Sequence, residues 1–152
     1  MMMMDFSTQD MPSPDLEEAF RITLVFGATA DVGRLATGGA RTVLPVTGGR
    51  IDGARLQGVI VSGSETSLTR LDGVTTAELS YLIQTEDGAI VRMAGMGVTS
   101  DCRGTDDQSF DGMRMTIMFE VDEQSSHAWL ATRAFIAERP RDSDTSIIMQ
   151  IV

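Results

Sequence analysis

The sequence predicts an all-β protein: a single antiparallel β-barrel of about eight strands, closed or nearly closed. Three observations carry this. Apolar residues recur mainly with period two, so segment after segment reads as a strand with one buried face. Short turns rich in Gly and Asp separate those segments. The last segment is apolar on both faces and would make a poor exposed edge, which favours closure.

The elements follow in chain order. Phe20, Ile22, Leu24 and Phe26 alternate with Arg21, Thr23 and Val25, giving a first strand. Strand patterns recur at Arg41–Val46, Arg55–Val61, Ser67–Arg70 and Thr76–Gln84. Glu86-Asp87-Gly88 then supplies a hairpin turn, since Asp-Gly accepts the positive φ that tight hairpins need. The return runs from Ala89 to Met93 and on toward Thr99. The cleanest alternation lies between Gly112 and Asp122, where Met113, Met115, Ile117, Phe119 and Val121 form one face. Residues His127 to Ala137 read as a strand or a short helix, because Ala and Leu weaken the alternation. Thr145 to Val152 closes the chain. Ser100 to Asp111 is the one long polar stretch, read as a surface loop.

One domain is expected over residues 16–152, preceded by a disordered leader at 1–15 that has four initial methionines, two prolines and no basic residue. That leader does not have the form of a secretory signal. No run of apolar residues is long enough for a transmembrane helix, so no membrane partner is expected and the cytoplasm is the default location.

Composition removes whole chemistries. The 152 residues hold 22 acidic and 12 basic side chains, for a formal net charge of -10. Every basic residue is Arg, and Lys and Asn are absent. Such an acidic balance lacks the footprint of a nucleic-acid-binding module. Without Lys there is no imine chemistry and no P-loop lysine. Cys102 and His127 are the only residues of their kinds, too few for an intrachain disulfide or a zinc site of the Cys/His type. Neither a metal nor a cofactor is expected. The stretch from Val25 to Arg34 imitates the glycine turn of dinucleotide-binding proteins, but Thr37-Gly38-Gly39 forbids the helix that turn must open.

A series of spaced motifs is more informative. Pro45-Val46-Thr47-Gly48-Gly49 is followed by Gly53, Leu56 and Gly58, then by Arg70, Asp72 and Gly73, by Tyr81 in a strand, by Asp87-Gly88, and by Trp129-Leu130. In this order and spacing the chain resembles the DUF3237 family, also called UPF0311, over roughly Phe20 to Val152. The resemblance implies a barrel like that of allene oxide cyclase. It also implies cofactor-free conversion of small aromatic or polyketide-like molecules, including decarboxylation with ether-ring opening, and cyclisation. Where the family has Gly-Gly-Ala-Asp-Trp, this chain has Ser62-Gly63-Ser64-Glu65-Thr66, so Glu65 stands for the family carboxylate. Ser80 and Ala131 replace the Arg before the family tyrosine and the Asn after Trp-Leu.

Four residues are candidates for proton transfer. Tyr81, the only tyrosine, shares a face with Leu79 and Ile83; it is either a core residue or a phenolic donor inside the barrel. Glu65 and Asp72 are carboxylates expected near a barrel mouth, where desolvation raises a pKa toward neutrality, although Asp72-Gly73 also reads as a plain turn. His127 alone has an ordinary pKa near neutral pH and otherwise reads as a surface residue. For substrate binding the candidates are Arg41, Arg55 and Arg114, of which one or two directed inward would clamp an anion, together with Trp129. Abundant methionine between Met93 and Met149 suits either an irregular core or an adaptable apolar pocket.

The expected function is therefore a cofactor-independent lyase or isomerase acting on a small aromatic or phenolic acid inside the barrel. The rival expectation is a non-catalytic barrel that binds an apolar metabolite, marked by an interior without carboxylate, histidine or tyrosine hydroxyl. A homo-oligomer is expected in either case.

Overall fold

The computed structural model describes residues 11–100 and 110–152, without the side chain of Ser100. Most of the expected leader and of the polar loop lie outside the described residues. Among the described residues there are nine strands and no α-helix: β1 (Leu16–Phe26), β2 (Ala30–Arg34), β3 (Ala40–Gly53), β4 (Gly58–Thr69), β5 (Thr75–Thr85), β6 (Ile90–Ser100), β7 (Gly112–Val121), β8 (Phe135–Pro140) and β9 (Thr145–Ile151). All pairings are antiparallel, in the order β1-β9-β8-β7-β6-β5-β4-β3-β2, and β1 also pairs with β3. That last pairing closes the ring. The barrel proper has eight strands, and β2 stands outside it.

Strand β3 reaches both neighbours because it is 14 residues long. Its first part, Ala40 to Val43, pairs with β2, and the stretch Val46 to Gly53 pairs with β1. The alternation in the sequence did not reveal β2: four of its five residues are exposed, so neither face carries a hydrophobic stripe. Strand β4 unites two segments that the pattern separates. A register shift between Ile60 and Ser62 interrupts the alternation, so that Ile60 and then Gly63 and Glu65 face inward. A bulge of this kind re-aims every side chain beyond it. Between β7 and β8 the chain forms a single 3-10 turn at Ala128–Thr132, the helical alternative for that stretch, before β8 begins.

One core fills the barrel. Phe20, Ile22, Tyr81, Ile83, Met93, Phe119, Phe135 and Ile148 are all buried. Phe119 packs edge-on against Phe20 and Phe135 at centroid distances of 5.9 and 5.0 Å, the geometry that aromatic quadrupoles favour. The 3-10 turn seals one end, where Leu130 and Leu56 are buried and Trp129 packs against the core. The β5–β6 hairpin lies at this sealed end, closed by Asp87-Gly88 with Gly88 at φ 86° as the Asp-Gly pair predicts. Among the described residues nothing covers the opposite end, which is bordered by the β4–β5 and β8–β9 turns. No helix among the described residues is long and apolar enough to cross a membrane.

Candidate functional site

A polar cluster lies below the open end, inside a mostly apolar barrel. Three strands supply it. On β4, the bulge before Gly63 turns Glu65 inward, where it is 4% exposed. On β5, Tyr81 shares the inner face with Ala77, Leu79 and Ile83 and is 1% exposed. On β8, the alternation of Phe135 and Ala137 continues to Arg139, whose side chain is 13% exposed.

Arg139 Nη2 donates to Glu65 Oε1 at 2.7 Å and to Oε2 at 3.1 Å, and lies 3.9 Å from Met113 Sδ. The guanidinium also lies 5.2 Å from the ring centre of Phe26, within cation–π range. Gly63 leaves room for the tyrosine: a Cβ there would sit 2.8 Å from Tyr81 Cδ1. The Tyr81 ring therefore crosses β4 at an inward position without a side chain, beside Glu65. Two buried polar atoms, Tyr81 Oη and Arg139 Nη1, have no hydrogen-bond partner among the described residues. Leaving such groups unpaired costs about 1–3 kcal/mol each.

Electrostatics fixes the protonation of two members. Burial pushes the Tyr81 phenol well above the ordinary tyrosine range, the Glu65 charge adds to the rise, and Arg139 opposes it. Burial alone would lower the pKa of Arg139, but its bond to Glu65 and that carboxylate's charge outweigh burial and raise it. The cluster thus presents a neutral phenol and a permanent cation beside a carboxylate.

Above the cluster the described residues frame a pocket of about 350 Å³, with Glu65, Arg139, Phe26, Leu44 and Met113 among its walls. Polar and apolar groups converge there, as they do in small-molecule sites.

The residues singled out from the sequence fall into three places. Tyr81 and Glu65 come together in the interior. Asp72 sits exposed in the β4–β5 turn at the same end, where it binds Arg70 through both of its carboxylate oxygens and accepts from the Val74 amide at 3.1 Å. The Arg70 hydrogen bond, with the Val74 amide, holds its carboxyl below the usual carboxylate range. His127, Trp129 and Arg55 gather at the sealed end. His127 Nε2 lies 3.0 Å from Asp87 Oδ1, and Arg55 stacks 3.8 Å over the Trp129 ring. Arg114 points outward on β7, 2.7 Å from Glu138 and 4.4 Å over Phe110. Arg41 also lies on the outer face: it pairs with Leu68, whereas Leu44, three residues on, pairs with inward Glu65.

The inward arginine is therefore Arg139, which the sequence reading did not name. Its signal was present. Continuing the period of Phe135 and Ala137 by one more step places residue 139 inside, two residues beyond the predicted end of that segment at Ala137. Among the described residues no cluster of His, Cys, Asp and Glu could hold a metal ion.

Comparison with known proteins agrees with this architecture. The chain is 25% identical to a UPF0311 protein of Rhodopseudomonas palustris strain TIE-1 over 147 residues, covering 90% of this chain and 95% of that one. It is 27% identical to a UPF0311 protein of Bradyrhizobium diazoefficiens over 146 residues, with the same coverage. Among solved structures, a protein of unknown function from Clostridium acetobutylicum superposes with a TM-score of 0.78 at 20% identity, covering 92% of this chain and 100% of that one. An enzyme from Penicillium herquei superposes with a TM-score of 0.75 at 22% identity, covering 94% and 98%. At these identities the structural likeness establishes the fold. The family model of DUF3237, described as a protein of unknown function, matches residues 14–152. This chain belongs to that family.

Proposed function

We propose that this protein is a cofactor-independent lyase or isomerase that decarboxylates, ring-opens or cyclises a small aromatic or phenolic acid at the open end of its barrel. The observation that carries the reading is the buried Tyr81–Glu65–Arg139 cluster beneath a pocket of about 350 Å³. Glu65 accepts a proton from the substrate and returns it to another substrate atom, so that isomerisation needs no outside reagent. In a decarboxylation the bond to the carboxylate carbon breaks, carbon dioxide leaves, and the electron pair left behind takes up a proton. Positioned general acids and bases supply about 10²–10⁴-fold in rate. Tyr81, kept neutral by its burial, and Arg139 Nη1 stabilise oxygen charge as it develops.

A non-catalytic carrier would favour an interior of one chemical kind, with no reason to retain an inward carboxylate beside an inward hydroxyl. Glu65 and Tyr81 both lie inside, which favours the catalytic reading.

The test is incubation of purified protein with hydroxycinnamate-like acids and ring-closed dilignols, followed by chromatography and mass spectrometry. Turnover of at least one member is expected, with a loss of roughly 100-fold or more in Glu65→Gln. If every compound stays unchanged, or if Glu65→Gln turns over as fast as the parent, the reading is abandoned.

A further inference from the structure

We infer that the substrate group received by Tyr81 Oη and Arg139 Nη1 is an uncharged acceptor oxygen, a conjugated carbonyl or its enol, and not a carboxylate. The inference rests on the pocket of the proposed function being a ligand site, but it does not require turnover. Its basis is charge. Arg139 spends Nη2 on both oxygens of Glu65, and that carboxylate is itself 4% exposed. The cation is already neutralised. A second anion brought to Nη1 would leave a net negative charge in a low-dielectric interior beside Glu65, and buried charge without a partner is strongly disfavoured. A neutral oxygen carries no such penalty.

The donors suit that oxygen. Tyr81 Oη and Arg139 Nη1 are both buried and both lack a partner among the described residues. A carbonyl oxygen has two lone pairs, enough to accept from both. Phe26 and Met113 on the pocket walls offer apolar faces to a flat conjugated skeleton. Met113 touches Arg139 Nη2 through its sulfur, and its unbranched chain can re-pack to admit the incoming oxygen. An acidic substrate then keeps its carboxylate at the mouth, in water, and its conjugated oxygen inside. When Glu65 takes a proton from the substrate, its own charge is lost, and the electrons released flow to that inner oxygen beside the freed Arg139 cation. There the tyrosine hydroxyl and the guanidinium receive the negative charge only as it forms, which is the condition for selective transition-state stabilisation.

The experiment compares two probes of nearly equal shape, benzylideneacetone and cinnamate, in which a methyl group replaces a charged oxygen. Binding to the full-length protein is measured by calorimetry. The neutral enone is expected to bind at least about tenfold more tightly than the acid, a difference of about 1.4 kcal/mol. In Glu65→Gln the preference inverts, because Arg139 is then free to pair with the carboxylate. Tyr81→Phe keeps the buried ring and removes only a hydroxyl that has no hydrogen-bond partner among the described residues, and it weakens the enone about tenfold while leaving cinnamate unchanged. Tighter binding of cinnamate by the parent protein overturns the inference, as does an unchanged preference in Glu65→Gln or a failure of the parent to bind either probe. Enone preference without turnover of any acid would uphold this inference and sink the catalytic one. Turnover combined with cinnamate preference would do the reverse.

Discussion

Arg139 and Glu65 face each other across the full width of the barrel. They stand on β8 and β4, which are four strands apart in either direction round the eight-stranded ring, and one nitrogen, Nη2, serves both carboxylate oxygens at 2.7 and 3.1 Å. An ion pair in this position ties opposite walls together. It also leaves the second guanidinium nitrogen uncommitted.

The pair should be strongly coupled. Removing one partner strands a buried charge, so Arg139→Leu and Glu65→Leu are each expected to cost about 3–5 kcal/mol. The double variant replaces both ions with apolar chains of similar size and should be more stable than either single variant. Urea unfolding of the four proteins checks this. If the double variant loses the sum of the two single losses, the groups act independently and the cross-barrel pair has no structural role.

Tyr81 is the only tyrosine in the chain, so tyrosinate absorbance reports it alone. Burial holds its folded-state pKa above the ordinary value of about 10. The unfolded chain therefore ionises first. The neutral phenol's contribution is fully present below about pH 10 and is lost as pH rises above it. We expect no tyrosinate signal while the barrel stays folded at about pH 11, and its appearance together with alkaline unfolding. A reversible titration near pH 10 in folded protein would show the phenol to be open to solvent.

Asp87 lies at the sealed end. Thr85 Oγ1 donates to it, and His127 Nε2 lies 3.0 Å from the same oxygen. The Thr85 hydroxyl first, and then His127, hold its carboxyl down to about 2. Because this pKa is lowered on folding, the contribution is present above the ordinary aspartate value and is lost as pH falls through about 2. Carbon-detected NMR titration of Asp87 should give a midpoint near 2 in the parent and a clear rise in Thr85→Val. An unchanged midpoint in that variant would remove the hydroxyl as the cause.

The alternation of Met113, Met115, Ile117 and Phe119 was enough to place β7 and its inner face, because a strand buried on one side writes its period directly into the chain. The same logic put Tyr81 on a buried face with Leu79 and Ile83. Ring closure was legible from β9, which is apolar on both faces and has no exposed residue along Thr145–Ile151. Elements that break the period were not legible. Strand β2 is exposed along almost its whole length, and β4 changes register at its bulge.

By itself, then, the sequence determined the barrel through local period and turn residues, its family through the order and spacing of its motifs, and the exclusion of lysine imine chemistry through the absence of lysine. Only the tertiary structure decided which polar residues meet. Asp72 and Glu65 are seven residues apart, yet one binds its own turn and the other reaches across the interior to Arg139. His127 and Tyr81 lie toward opposite ends of the same barrel, the imidazole at the sealed end and the phenol below the open one. Arg139 joins Glu65 across 74 positions of chain. Such meetings depend on strand order, on one bulge and on ring closure, which are properties of the whole sheet. No single segment records them.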